Sequence, residues 1–383
     1  MSNDKQPEQR RGSTAGAARR RRGEGRPTIA DVAARAGVGA ITVSRALRDP
    51  GLVSETLRQS IDAAVRDLNY IPNLSARALA STRSAVIGVL IPSLSQVVFT
   101  DVLRGIYDGV DGSSLTVQIG NTRYDGEEEE RLVDMFLRQQ PAGMIVSGTE
   151  QRPNTRRMLE KAGCPVVQIM DLTDDPIDRI IGFSHTVAGR RMTEHLIEAG
   201  YSRIAFLSGW MSKRASGRLV GYQQALDAAG MEPINVAISE LSMPELADSS
   251  DPLNPRPVLE FATPRLGREL FAKALAEVPD VDAVFCNNDT LALGVLFECY
   301  RRGIRIPEDI GVAGYNDHDY MEAAEPSLSS ARTHRYRNGF AAVMAIRDAL
   351  AGKPAGQRVV DMGVDIMKRR STDRAGKLKD IQG

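Results

Sequence analysis

The stretch T-I-A-D-V-A-A-R-A-G-V-G-A-I-T-V-S-R-A, running from Thr28 to Ala46, constrains this chain more than any other. Thr28 is suited to cap a helix, with Asp31 three residues on in the capping-box position. Ile29, Val32, Ala33 and Ala36 then recur at helical spacing and form a narrow apolar stripe. Gly37 stands where that helix must stop and a left-handed residue is required. Val38 fills the angle before a second short helix, in which Val43 and Ala46 or Leu47 point inward. That phase turns Ala40, Ile41, Ser44 and Arg45 outward. A third helix opens at Ser54 with Leu57, Ile61, Val65 and Leu68 on one side, and Asn69 and Pro72 end it. Two short helices about a glycine turn form a helix-turn-helix, whose second helix fits the major groove of DNA.

Charge along the chain agrees with a polyanion-binding front end. The net formal charge is zero, but residues 1–26 carry eight Lys/Arg against three Asp/Glu. Residues 27–81 carry six against five, leaving 35 against 41 in the remainder. The run Arg19–Arg22 is either a solvated tail or an arm on phosphates. The N-terminus has no apolar segment of signal-peptide type, and three cysteines without CxxC spacing read as reduced thiols in the cytosol. No apolar run approaches the roughly 20 residues a membrane helix needs.

The order A-D-V-A-x-x-A-G-V-x-x-x-T-V-S-R-A-L, with Val53-Ser54 and Leu68-Asn69-Tyr70-Ile71-Pro72-Asn73 after it, closely resembles the headpiece of the LacI/GalR family of transcriptional regulators. The resemblance implies that Ala40, Ile41 and Arg45 read bases while Thr28, Thr42 and Ser44 hold phosphates. Arg45 suits guanine O6/N7, and Ile41 offers apolar contact such as to a thymine methyl. Gly39 departs from the hydroxyl residue common there. Residues 73–81, from Asn73 through Leu79, are helix-capable but too short to be stable alone. In the resembled family such a hinge orders on DNA and drives a leucine, here Leu79, into the minor groove. Read without that likeness, the segment is a linker.

From residue 85 onward, short β-branched runs alternate with helical stretches. Strands are expected at 86–91, 115–119, 144–146, 166–170, 204–207, 283–286 and 310–314. Helices are expected at 98–112, 127–140, 185–199, 218–229, 290–302 and 338–350. This βα alternation implies parallel sheets covered on both faces, and the length implies two lobes with a cleft. The fold class is thus a small all-α helix-turn-helix headpiece plus an α/β core of two parallel-sheet lobes. The expected domains are a basic tail at 1–26, the headpiece at 27–71, a hinge at 72–83 and a core at 84–383. Lobe 1 takes about 84–183 and 331–352, and lobe 2 takes 184–330 and 353–383.

No GxGxxG, GxxxxGK[ST] or GxSxG follows these strands, so no cofactor or catalytic residue is expected. His185, His195, His318 and His334 lack metal-ligand spacing, and His318-Asp319 reads as an exposed polar loop. No leucine heptad follows Lys368, which argues against a coiled-coil tetramer.

The core resembles the same family, which shares the periplasmic sugar-binding fold. Ile87-Gly88-Val89-Leu90-Ile91-Pro92-Ser93-Leu94, with Val98-Phe99 and Val102-Leu103-Arg104-Gly105-Ile106, looks like the gluconate-operon repressor branch. Arg218-Leu219-Val220-Gly221-Tyr222, Asn288-Asp289 and Gly314-Tyr315-Asn316-Asp317 are later landmarks. The resemblance implies cleft contacts from Phe99, Ser147, Asp171, Arg218, Asn288 and Asn316, joined by Thr333 and Arg335. Asp171, Asn288 and Asn316 suit hydroxyls, Phe99 an apolar wall and Arg218 a carboxylate. Asn316 stands where many relatives have Asp, and Arg335 where neutral-sugar binders carry an uncharged residue; both favour an anion. The expectation is a cytoplasmic homodimer that binds operator DNA and is released by a sugar acid such as gluconate. Alternatives are a transport-type sugar-binding protein, a sugar-acid enzyme, or a regulator that uses its ligand as corepressor.

Overall fold

The computed structural model describes residues 27–48, 50–71, 84–209, 211–237 and 262–376. The chain divides into two compact units, Met1–Ser81 and Thr82–Gly383. In the first, α1 (Ile29–Ala36) begins at Thr28 with a complete capping box. Gly37 ends it at φ 68°, where a side chain would be strained, and its N–H closes on the Ala33 carbonyl. Helices α2 (Ala40–Arg48) and α3 (Glu55–Asp67) come next. Val32, Ala33, Val43, Ala46, Ile61 and Ala64 form the sealed centre, and Val38 packs on it at the turn.

Among the described residues the second unit contains two six-stranded sheets. The first is built from Val86–Ile91 (β1), Thr116–Asn121 (β2), Gly143–Ser147 (β3), Val166–Ile169 (β4), Arg179–Gly182 (β5) and Val359–Asp361 (β11), in the order β11-β5-β4-β3-β1-β2. The second is built from Ile204–Ser208 (β6), Ile234–Ala237 (β7), Ala283–Cys286 (β8), Gly311–Asn316 (β9), Ser329–Thr333 (β10) and Val364–Met367 (β12), in the order β12-β10-β9-β8-β6-β7. All neighbours are parallel except β10 and β12.

Both faces of each sheet are covered, which is why the strands read as continuous apolar runs instead of alternating ones. In lobe 1, Ile87, Val89 and Ile91 of β1 pack with α4 (Val98–Val110), while Leu90 packs with α5 (Gly126–Leu137). Helix α6 (Pro153–Glu160) adds Leu159 to that second face. In lobe 2, Phe206 and Phe285 meet Leu196 of α7 (His185–Glu198) and Tyr222 of α8 (Lys213–Ala229). Leu207, Val284 and Val312 face α9 (Pro264–Glu277) and α10 (Asp289–Arg302) on the other side. A short α11 (Asp319–Ala323) precedes β10, and α12 (Arg335–Leu350) returns to lobe 1 against α4. There Gly105 lets the helices touch, since a Cβ on it would lie 2.1 Å from the Tyr336 carbonyl oxygen.

Among the described residues the chain crosses between lobes three times, after β5, after β10 and after β11. Two of these crossings differ from the expected boundaries. Strand β10 stays in lobe 2 through Thr333, because β9 and β12 satisfy its backbone through Arg332↔Asn316 and Thr333↔Val364. Strand β11, expected in lobe 2, instead extends the first sheet with Val359 opposite Ile180. The final crossing therefore comes only at Gly363, whose φ is 65°.

The C-terminal turn Arg370–Thr372 plugs into lobe 2. Ser371 Oγ donates to the Val312 carbonyl at 2.6 Å, and Thr372 Oγ1 lies 2.8 Å from His195 Nε2. Among the described residues no helix is long and apolar enough to cross a membrane.

Candidate nucleic-acid interface and ligand cleft

Helix α2 presents Ala40, Ile41, Ser44 and Arg45 as exposed residues, with Thr42 half-buried. Ile41 is 75 % exposed, so it is not part of the headpiece core. Arg45 makes no ion pair among the described residues, whereas Arg35 is held by Asp67 at 2.7 Å and Arg58 lies between Glu55 and Asp62. Thr28 is differently placed from a free phosphate donor. Its amide donates to the Asp31 carboxylate at 2.8 Å as part of the capping box, and its hydroxyl donates to the same oxygen at 2.7 Å. Asn73 and Leu79 lie outside the described residues.

Between the lobes lies a cavity of about 310 Å³, at the lower end of the range for small-ligand sites. Lobe 1 contributes Gln96, Phe99, Tyr124 and Met170; lobe 2 contributes His185, Arg214, Arg218, Asn287, Asn288, Asn316 and His318. Ser212 caps α8, and Arg214 and Arg218, four residues apart, then project from one face of its first turns.

Arg218 is only 9 % exposed. Its Nε donates to Asn287 Oδ1 at 2.6 Å, and its guanidinium lies 4.2 Å from the Tyr315 ring centre. His185 Nε2 faces the Met170 carbonyl at 3.1 Å, so that nitrogen carries the proton. Nδ1 is then the acceptor for the Tyr315 hydroxyl at 2.9 Å, with Arg218 Nη1 at 3.4 Å. Burial, with Arg218 and Arg214 beside it, holds His185 well below the usual histidine range and keeps it neutral.

Asn288 N-caps α10 through its side-chain oxygen, accepting from Leu291 N at 3.1 Å, and the residue lines the cavity. Asn316 and Asp317 take φ values of 110° and 60° at the end of β9. Strained backbone of this kind persists only where its surroundings over-determine it. Here Asp317 is gripped by Arg332 and Arg369, each at 2.6 Å. Asp289 accepts from Ser330 Oγ at 2.6 Å and from His318 N at 2.7 Å. His318 is thus buried on the cleft wall and does not occupy an exposed loop.

Of the expected contacts, Phe99, Arg218, Asn288 and Asn316 line the cavity, and four do not. Ser147 and Asp171 stand behind Arg214, at 3.0 Å from Nη2 and 3.9 Å from Nε. Thr333 is buried without a hydroxyl partner among the described residues. Arg335 is tied to Asp101 of α4 at 2.7 Å and to the Asn316 carbonyl, so it links the lobes. The second cation of the cleft is therefore Arg214. Its sequence signal was the i, i+4 spacing to Arg218 on a helix with a serine cap. Among the described residues no group of three or more His, Cys, Asp or Glu is placed to hold a metal ion.

The buried titratable groups make stability depend on pH. Burial lowers His195 and His318 to about 4, from a reference of 6.5. The unfolded chain therefore takes up these protons first, and the native state loses stability as pH falls from 6.5 toward 4. His185 adds in the same direction. Asp289, raised by burial to about 6 from 3.8, opposes them, because its contribution is lost as pH rises across that interval. Three groups outweigh one. The melting temperature should fall between about pH 7 and about pH 4.5 in scanning calorimetry; a flat or rising profile would contradict this assignment of neutral histidines.

Residues 28–73 match the family model described as bacterial regulatory proteins, lacI family. Residues 84–253 match that of periplasmic binding proteins and sugar binding domain of LacI family, and 193–372 a periplasmic binding protein-like domain. The chain is 40 % identical over 348 residues to the HTH-type transcriptional regulator GntR of Pseudomonas aeruginosa, covering 91 % of this chain and 96 % of that protein. A LacI-family regulator from Silicibacter pomeroyi is similar in structure, with TM-score 0.78 and 33 % identity, over 91 % of this chain and all of that one. The lac repressor dimer bound to operator and the anti-inducer ONPF aligns with TM-score 0.74 and 27 % identity, over 90 % and 99 % of the two chains.

Proposed function

Given that this chain belongs to the LacI family of bacterial regulatory proteins and is a DNA-binding transcriptional repressor, we propose that a sugar acid, gluconate or a keto or phosphorylated relative, binds its cleft and releases it from its operator. One observation carries this reading. Two guanidinium groups, Arg214 and Arg218, reach the cavity, and none of its described lining residues is a carboxylate. Two cations held four residues apart on one helix and shielded from water favour an anion between them. Asn287, Asn288 and Asn316 supply donors and acceptors for hydroxyls, and Phe99 an apolar wall.

The effector acts by preferring one lobe arrangement over another. Operator affinity falls by that difference in effector binding and by no more. Emptying an operator that is nearly full requires a preference of roughly 10⁴-fold, about 5.5 kcal/mol. Calorimetry of the full chain with gluconate, 2-ketogluconate, 6-phosphogluconate and glucose tests the ligand class. Binding of an acid with weak or no binding of glucose is the expected result. Glucose binding as tightly as every acid would overturn it.

We also propose a cytoplasmic homodimer on a pseudo-palindromic operator, read by Ala40, Ile41 and Arg45, with Thr42 and Ser44 on phosphates and Asn73 and Leu79 from the hinge. Large apolar side chains left exposed on α10, Phe297 and Tyr300, suit a self-associating surface. Because Arg35 and Arg58 are already paired with carboxylates, the tail run Arg19–Arg22 is assigned part of the phosphate contact. Deleting residues 1–26 should flatten the slope of log K against log salt by roughly 0.9 per lost contact. An unchanged slope would leave the tail without that role.

A further inference from the structure

Asp171 has one ionic neighbour among the described residues, Arg214 Nε, and that pair is loose at 3.9 Å. Both side chains are largely out of water, 14 % exposed for Asp171 and 18 % for Arg214. The carboxylate cannot easily move elsewhere, because its backbone is fixed from two sides. Met170 before it holds φ 67°, and Gly182 approaches so closely that a Cβ there would lie 2.0 Å from the Asp171 carbonyl oxygen. Its Oδ1 accepts the Leu172 amide at 2.9 Å. The result is an anion from lobe 1, outside the cavity wall, facing a cation from lobe 2 that forms part of it.

We propose that Asp171 is a built-in competitor for the effector's acid group: it holds Arg214 in the empty cleft and yields it when the effector carboxylate or phosphate arrives. The inference rests on the sugar-acid reading and adds a mechanism of selectivity to it. A neutral sugar cannot displace Asp171 from the guanidinium, whereas an acid replaces it there, and the cost of leaving Asp171 without its cation is the competition that acid must overcome. Asp171 acts through Arg214 and is a positioning residue. Removing it should strengthen binding of the acid. Had its carboxylate received effector hydroxyls, removal would weaken binding instead.

The test is calorimetry on the full chain with gluconate, 2-ketogluconate, 6-phosphogluconate and glucose. Asp171→Asn should tighten the acid that binds the parent by about three- to tenfold, the range expected for a loose, partly shielded ion pair, and leave glucose unmoved. Arg214→Gln should weaken the acid at least tenfold, and Asp171→Asn should then have no further effect on that background, as a double-mutant cycle requires of a coupled pair. Structural damage does not tighten binding, so the sign separates positioning from folding. Weakened or unchanged acid binding in Asp171→Asn, or equal tightening of glucose, overturns the competitor role alone. Failure of the parent to bind any of the three acids overturns the sugar-acid reading, and this inference with it.

Discussion

Replacing Arg218 by glutamine makes the repressor insensitive to its effector while operator binding without effector persists. The side chain is nearly buried, fixed by Asn287 Oδ1 at 2.6 Å and by the Tyr315 ring at 4.2 Å. A planar, pre-positioned guanidinium loses little freedom when an acid group meets it. Truncating one partner of a buried, hydrogen-bonded charge pair costs about 2–5 kcal/mol, so the acid should bind at least about thirtyfold more weakly. Removing a buried cation also relieves desolvation, because burial is what lowers the pKa of Arg218, and the variant should stay folded. Fluorescence anisotropy on operator DNA, titrated with the acid, reads the effect. A normal response at the parent's effector concentration would remove Arg218 from the site.

The second large effect belongs to the headpiece. Arg45 is exposed on α2 and has no ion pair among the described residues, so its fork is available to guanine O6 and N7. A bidentate contact of this kind is worth about 1–3 kcal/mol per base pair, and a dimer presents it in both half-sites. Arg45→Ala should therefore lower specific operator affinity by roughly 2–6 kcal/mol while non-specific binding changes far less. Competition between operator and random-sequence DNA measures the ratio. An unchanged ratio would mean that Arg45 contacts phosphate and not base.

The headpiece was legible in the sequence because its signals are local. The Thr28–Asp31 box, the left-handed Gly37 and the stripe through Ile61 all act within a few residues, and each is present in the folded unit. Seven core strands were legible for a similar reason, since each contains a compact apolar run. Strands β5, β7, β10, β11 and β12 were not, because each has only three to five residues with polar ones such as Arg179, Asn235, Ser330, Arg332 or Asp365 among them. Their pairing depends on partners far along the chain, as Val359 opposite Ile180 illustrates.

The cleft shows where local reading stops. Arg214 and Arg335 are both arginines at the start of a helix, and the i, i+4 spacing of Arg214 to Arg218 places it on that residue's face without saying that Arg335 is kept from the cavity. Asp101 decides it: carried on α4 far upstream, it captures Arg335 and leaves Arg214 as the second cleft cation. His185 obeys the same logic. Its neutrality comes from burial beside Arg218 and Arg214, which outweighs the opposing hydrogen bond to the Met170 carbonyl, and only the folded chain brings these groups together.

Control of the DNA-binding headpiece by an acid in the Arg214–Arg218 cleft has one direct test. Operator affinity of the full chain is measured at fixed salt, with and without saturating gluconate, 2-ketogluconate or 6-phosphogluconate, and with glucose in parallel. A fall in affinity with at least one acid, and none with glucose, is the predicted result. Operator affinity unchanged by all three acids, or strengthened by them, would contradict it.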